Sequence, residues 1–159
     1  MTSKIELKAL ILLRSSPITA DMESKQLKKL ASLAREVKFS RDEIISRKGD
    51  LGQALYLIEE GEVVIETEVI GQGYVSTDRL GPGQFFGWSS LFPPARKLGQ
   101  TRAVKSTRAL AFYAEDVRLA MQADHTLEYG LVRRAGQTMI DRIKTMRQQL
   151  AELYGPAQR

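Results

Sequence analysis

The sequence predicts a mainly β protein with flanking helices, whose strands form a closed or double-layered antiparallel structure. Three observations predict this. From about residue 37 to 114, short alternating or apolar runs rich in β-branched and aromatic residues are punctuated by glycines. Helical periodicity precedes this stretch and returns after it. So many short strands favour closure or two layers, because either arrangement hides most strand edges.

Two helices are predicted before the strands. In the first, apolar residues recur at helical spacing until Pro17 interrupts the pattern. They are Ile5, Leu7, Leu10 and Ile11. The second helix is expected to begin near Asp21, and its apolar stripe lies opposite a lysine-bearing face that we interpret as solvated. The stripe is formed by Leu27, Leu30, Leu33 and Ala34, and the lysines are Lys25, Lys28 and Lys29.

Eight strands are predicted next, separated by turns that contain glycine or proline. Their ranges are 36–39, 43–46, 54–59, 63–70, 74–79, 85–88, 101–105 and 109–113.

The helical period returns after Glu115, first in a segment through Met121 and then in a long helix from about Thr126 to Tyr154. Gly155 and Pro156 are expected to end it. Apolar residues of the long helix occupy the a and d positions of a heptad, which predicts a homodimer through this helix. They are Val132, Met139, Ile143, Met146, Leu150 and Leu153. The alternative is that this stripe packs on the chain's own β core.

Composition excludes several classes of function. The 159 residues suit one compact domain, and with no cysteine the chain has no disulfide, thiol nucleophile or cysteine-based metal site. The single histidine, His125, stands at a helix start, where an exposed or capping role is expected, so we predict neither an enzyme nor a metal site. No apolar run is long enough for a membrane span or a signal peptide, which predicts a cytoplasmic protein. The net charge of +5 is compatible with several kinds of anionic partner.

An ordered series of short motifs runs through the strand region. Residues 47–52 read R-K-G-D-L-G, 55–58 read L-Y-L-I, 60–63 read E-G-E-V, 80–87 read L-G-P-G-Q-F-F-G and 101–103 read T-R-A. In order and spacing they resemble the cyclic nucleotide-binding domain of the catabolite activator and Fnr regulator superfamily. The resemblance implies an eight-stranded antiparallel β-roll of the jelly-roll type with N-terminal helices at residues 1–125. It also implies a dimerisation and signalling helix at residues 126–159.

The same resemblance implies a phosphate-binding cassette that begins at Gly87. Its short helix would point backbone N–H groups at a phosphate. The implied ligand-binding residues are Gly87, Trp88, Ser89, Ser90, Leu91, Arg96, Lys97, Gln100 and Thr101. The expected ligand is a cyclic nucleotide or another small anion, and no other cofactor is expected.

The cassette departs from the pattern of nucleotide-binding members at several positions. Trp88 stands where those members carry a glutamate that accepts a hydrogen bond from the ribose, and Gln100 stands where they carry a serine or threonine. Lys97 stands where they carry the arginine that pairs with the phosphate, although a one-residue loop adjustment would bring Arg96 there instead. Bulky Leu98 replaces a small residue. Trp88 would either stack on a planar ligand or fill an unused cavity.

Charge is segregated along the strand region. From residue 49 to 78 every charged residue is Asp or Glu, and from residue 79 to 114 every charged residue is Lys or Arg. Either the basic segment focuses a positive field over the cassette, or acidic and basic strands pair across a sheet.

Three functions therefore remain open from the sequence. The first is a regulatory sensor that couples ligand binding in the β-roll to the C-terminal helix and thereby to an effector protein. The second is an interaction or dimerisation module that has lost cyclic nucleotide binding. The third is the sensor part of a transcription regulator. Because the sequence ends at Arg159, directly after the long helix, we do not expect this chain alone to bind DNA.

Overall fold

The computed structural model describes residues 2–155, in which four α-helices flank eight strands. The strands are β1 (Arg35–Phe39), β2 (Ile44–Ser46), β3 (Ala54–Glu60), β4 (Val63–Val69), β5 (Gly73–Leu80), β6 (Phe85–Phe86), β7 (Gln100–Ala103) and β8 (Thr107–Tyr113). The helices are α1 (Lys4–Ser15), α2 (Ser24–Leu33), α3 (Ala114–Ala123) and α4 (His125–Tyr154). Pro156, predicted to help end the last helix, lies outside the described residues.

The strands form two four-stranded antiparallel sheets, in the orders β1-β8-β3-β6 and β2-β7-β4-β5. The predicted mainly β fold with flanking helices is therefore confirmed. Four strands are shorter than predicted, and the largest difference is in the range 85–88, which contains only the two-residue strand β6. The chain leaves the sheet at Gly87, whose φ of +91° is a left-handed value. A 3-10 helix follows at Trp88–Leu91, which we call the cassette turn.

The first sheet separates two apolar regions because side chains alternate across a strand. On β3, Leu55 and Leu57 pack in the core shared with the helices, whereas Ile58 packs with Val63 and Phe86 inside the roll. Helix α1 contributes Ala9 and Leu13 to the helical core. Most of its predicted apolar stripe is exposed instead, because the residues of α1 that enter the core are Ala9 and Leu13. The exposed residues are Ile5, Leu7 and Ile11, and Leu10 is partly buried.

Cross-strand pairing accounts for most of the charge segregation. Glu66 on β4 accepts hydrogen bonds from Arg102 on β7, and Arg108 on β8 is paired with Glu60 on β3. Arg79 and Lys105 both lie at ion-pair distance from Glu62. Exposed pairs of this kind contribute about 0.2–1 kcal/mol each. Within the described chain, two cations of the basic segment have no carboxylate partner, and they are Arg96 and Lys97.

No helix among the described residues combines the length and the apolar character that crossing a bilayer would require.

Candidate ligand-binding site

The roll encloses a cavity of about 330 Å³, which we call the roll pocket. Ligand pockets in proteins usually measure about 300–1,000 Å³, so it can hold a small ligand. It lies between β2, β3, β6 and β7, beside the cassette turn. Its lining residues are Ile45, Ser46, Asp50, Leu51, Gly52, Gln53, Ala54, Tyr56, Phe86, Gly87, Ser90, Lys97 and Thr101.

Two glycines allow the cassette turn to lie close to β3. At Gly87, a Cβ atom would lie 2.5 Å from the carbonyl oxygen of Ala54, and the positive φ further disfavours any side chain. At Gly52, a Cβ atom would collide with the hydroxyl of Ser90. At the pocket mouth, a side chain at position 87 would therefore meet the backbone of β3, and one at position 52 would meet the side chain of Ser90.

Lys97 provides the cation of the roll pocket. Its amide donates to the carbonyl of Asp50 over 2.8 Å, and its carbonyl accepts from the amide of Gly49 over 2.8 Å, which fixes the loop against the preceding turn. The Nζ atom donates to Ser89 Oγ at 2.9 Å and to Ser90 Oγ at 3.3 Å. Both partners are neutral hydroxyls, so the ammonium charge is available to an anion.

The electrostatic setting of Lys97 is unusual for a lysine. Burial lowers the pKa of Lys97 from its ordinary value of 10.5, and the positive charge of Arg142 on α4 lowers it further. An anion in the pocket would oppose both effects. The neighbouring Arg96 is exposed, and its Nη1 atom donates to the carbonyl of Gly49 at 2.9 Å. Of the two basic residues proposed for the phosphate, Lys97 is therefore the one that faces the roll pocket.

The cassette turn directs its residues to two sides. In a 3-10 helix, residues three apart eclipse one another. Trp88 and Leu91 consequently share the face that packs in the helical core, whereas Ser89 and Ser90 offer their hydroxyls to Lys97. The Trp88 side chain is 2% exposed, and its ring centroid lies 5.4 Å from that of Phe85. Trp88 is thus absent from the pocket lining, in contrast to both alternatives considered for it.

Gln100 is also absent from the pocket lining. Its Nε2 atom donates to Glu66 Oε1 at 3.0 Å, and the same carboxylate holds Arg102. The hydrogen bonds from Arg102 lower the pKa of Glu66, so this buried carboxylate stays ionised and satisfied. The residue after Gln100, Thr101, does line the pocket, since neighbouring residues of a strand face opposite sides.

Two aromatic residues of the quoted motifs, Tyr56 and Phe86, form one wall of the pocket, although they were not among the implied ligand-binding residues. Tyr56 and Phe86 stack with ring centroids 4.7 Å apart, and Phe39 meets Tyr56 edge-on at 5.7 Å. Burial raises the pKa of the Tyr56 phenol. The alternation of β3 and β6 could have indicated these inward positions, but only the pairing of Tyr56 with Phe86 brings them together.

Hydrogen bonds connect the cassette turn to the C-terminal helices. The carbonyl of Ser90, whose hydroxyl accepts from Lys97, also accepts from Arg118 Nη1 on α3 at 3.1 Å. Helix α3 leads directly into α4, where the Asp124 side chain accepts from the amides of Thr126 and Leu127. Ser90 therefore touches both the pocket cation and the helical part of the molecule.

Helix α4 changes character along its length. The buried residues that the structure describes on it all lie before Gly136: Leu127, Gly130, Leu131 and Ala135. The predicted heptad stripe is exposed throughout, from 39% at Met139 to 76% at Leu153. The stripe therefore does not pack on the chain's own β core.

Comparisons with known proteins agree with this architecture. The model of the cyclic nucleotide-binding domain family matches residues 36–124. The cyclic AMP receptor protein of Thermus thermophilus is 29% identical over 126 residues, which are 77% of this chain and 58% of that protein. This chain therefore spans less than two thirds of that relative.

Solved structures share the fold. The catabolite activator protein of Thermus thermophilus aligns with a TM-score of 0.71 and 27% identity, over 87% of this chain and 63% of the other. A cyclic nucleotide-binding domain from Methylobacillus flagellatus aligns with a TM-score of 0.73 and 17% identity, over 97% and 84% of the two chains. With a family match over more than half of its residues, the chain belongs to the cyclic nucleotide-binding domain family.

Proposed function

We propose that this protein is a regulatory sensor, and not an enzyme, which binds a cyclic nucleotide or a related small phosphate ester in the roll pocket. The observation that carries the proposal is Lys97, a half-buried cation hydrogen-bonded only to neutral hydroxyls among the described residues. A desolvated cation interacts strongly with an anion because little water screens the pair. The similarity to a cyclic AMP receptor protein supports the choice of ligand.

Removing the charge of Lys97 tests the binding part of the proposal. Wild-type protein should bind cyclic AMP or cyclic GMP with a micromolar Kd in isothermal titration calorimetry. Lys97→Gln should weaken this binding by about 10- to 100-fold, because a charged hydrogen bond contributes about 1.5–3 kcal/mol. Since burial and the charge of Arg142 lower the pKa of free Lys97 from its ordinary value of 10.5, affinity should also fall as the pH rises into the alkaline range and the ammonium loses its proton.

Lys105→Gln is the matched control, because it removes the same charge from an exposed lysine outside the pocket lining. It should leave the affinity within about twofold of wild type. If Lys97→Gln and wild type bind equally well, the ligand does not lie at Lys97. If wild type binds neither nucleotide, the protein is better described as an interaction module that has lost nucleotide binding.

We further propose that ligand binding is transmitted to α4 through Ser90. An anion at Lys97 competes with the two serine hydroxyls for the ammonium, which alters the restraint on the cassette turn. The bond from Arg118 to the Ser90 carbonyl carries this change into α3, and α3 continues into α4. A ligand that prefers one arrangement of the turn would shift the helices toward the corresponding position.

Arg118→Ala tests this route. In wild type, cyclic nucleotide should change hydrogen–deuterium exchange in α3 and α4 as well as in the cassette turn. In Arg118→Ala, we expect the Kd to stay within about threefold of wild type, while the change in α4 falls by at least half. Arg147→Ala, which removes an exposed arginine of α4, is the control. An unchanged response in Arg118→Ala would exclude this hydrogen bond from the route.

We also propose that the protein is a homodimer through the exposed stripe of α4. Seven apolar side chains along one helix face are left in water by the single chain: Tyr129, Val132, Met139, Ile143, Met146, Leu150 and Leu153. A second copy would supply the same stripe at the same spacing, as in a two-stranded coiled coil. In such a dimer, α4 would respond to ligand binding and would also form the interface between the two copies.

A further inference from the structure

The polar groups of the roll pocket are unequally distributed between donors and acceptors. The cation of Lys97 faces the cavity, together with the hydroxyl-bearing residues Ser46, Ser90 and Thr101. Among the lining residues that the structure describes, one carboxylate is present, that of Asp50. The remaining polar side chains of the lining, Gln53 and Tyr56, are neutral, so the pocket is suited to a negatively charged group and has a single carboxylate acceptor for a sugar hydroxyl.

The Asp50 carboxylate is engaged in its own turn through one of its two oxygens. One of its carboxylate oxygens accepts from the amide of Arg47 at 2.8 Å, and the side chain is exposed at the pocket rim. The nearby carboxylate of Glu66 is occupied by Arg102 and Gln100 and does not line the pocket. Neither carboxylate is therefore a buried acceptor that is free to accept a hydrogen bond from a sugar hydroxyl.

The residue after Gly87 offers no acceptor either. Trp88 is turned into the helical core, and the indole has a single polar atom, Nε1, which is a donor. A change of side chain at this position would act on the core and not on the cavity. The conformation of the cassette turn therefore keeps the side chain of Trp88 out of the pocket, although the next two residues are Ser89 and Ser90.

We infer that the roll pocket selects its ligand by the phosphate charge and does not read the ribose 2′-hydroxyl. This inference rests on the proposed function. Strong discrimination against a ligand that lacks a hydroxyl requires a buried partner that is then left unpaired. Proteins that recognise a ribose hydroxyl commonly use an aspartate or glutamate for this purpose. The ligand class consequently includes 2′-deoxy cyclic nucleotides and simple phosphate esters.

Calorimetric titration of the full chain with cyclic AMP and 2′-deoxy cyclic AMP tests this inference. We expect the two Kd values to lie within about threefold of each other, and Lys97→Gln to weaken the binding of both nucleotides to a similar extent. A loss of tenfold or more for the deoxy ligand would overturn the inference. If that loss disappears in Asp50→Asn, Asp50 would be the group that reads the sugar.

The outcome also separates this inference from the proposed function. Binding of cyclic AMP without binding of the deoxy analogue refutes the inference alone. Absence of binding by both nucleotides refutes the proposed function and, with it, the ligand class inferred here. Phenyl phosphate serves as a ribose-free probe: competition with cyclic AMP supports selection by the phosphate, and absence of competition at millimolar concentration opposes it.

Discussion

Trp88→Glu should destabilise the protein by about 5 kcal/mol, and it should not create a sugar-binding site. Glutamate is the residue that the resemblance to nucleotide-binding members places at this position, so the substitution looks like a repair of the cassette. In the structure, however, the Trp88 side chain is 2% exposed and lies in the core with Phe85, Leu55 and Leu91. The variant would lose the indole contacts and bury a carboxylate without a partner.

Single domains are typically stable by about 5–15 kcal/mol, so this loss would remove about a third or more of the free energy of unfolding. Urea denaturation followed by circular dichroism measures it. Trp88→Phe is the control, because phenylalanine keeps the site apolar. Among the described residues the indole Nε1 has no hydrogen-bond partner to lose, and we expect a cost of about 1–2 kcal/mol. A stable Trp88→Glu variant that bound cyclic AMP more tightly than wild type would contradict the placement of this side chain.

Ile143→Glu should convert the proposed dimer into a monomer. Ile143 is 51% exposed and lies between Met139 and Met146 on the stripe, beyond Ala135, the last buried residue that the structure describes on α4. Two-fold symmetry would bring two copies of the new carboxylate into one apolar seam. Desolvation and repulsion of these charges should weaken the dimer by about 100-fold or more.

Sedimentation equilibrium distinguishes the 17.8 kDa monomer from a species of twice that mass. Gln148→Glu is the control, because it adds the same charge on another face of α4 and should leave the dimer intact. A monomeric wild type at about 100 μM, or a dimeric Ile143→Glu, would refute the proposed seam. Cyclic nucleotide can be added to the same experiment to ask whether binding changes the dimer.

The order of the motifs was sufficient to predict the fold because each motif marks a turn or a strand that forms from neighbouring residues. The glycines at positions 49, 83 and 87 have positive φ values at turns, and alternating apolar residues mark the strands between them. The predicted strand 85–88 was too long because a Phe-Phe-Gly-Trp run has the composition of a strand. The left-handed conformation of Gly87 ends the strand two residues early.

The site was only partly predictable, since linear position does not specify which way a side chain points. Lys97 and Arg96 are adjacent cations that sequence counting could not separate. Backbone bonds of Lys97 to Gly49 and Asp50 direct Lys97 inward and leave Arg96 outside. Trp88 and Ser89 are also adjacent, and the 3-10 geometry of the turn sends them to opposite sides.

By itself, the sequence determined the antiparallel β class, the flanking helices and the absence of cysteine chemistry, because these depend on composition and on periodicity within short segments. It also located the segment that forms the cassette turn. Tertiary structure decided which charges pair across the sheets, which cation faces the roll pocket and which face of the cassette turn enters the core. These features depend on strand register and on contacts between distant segments. The linear order of residues carries no direct signal for either.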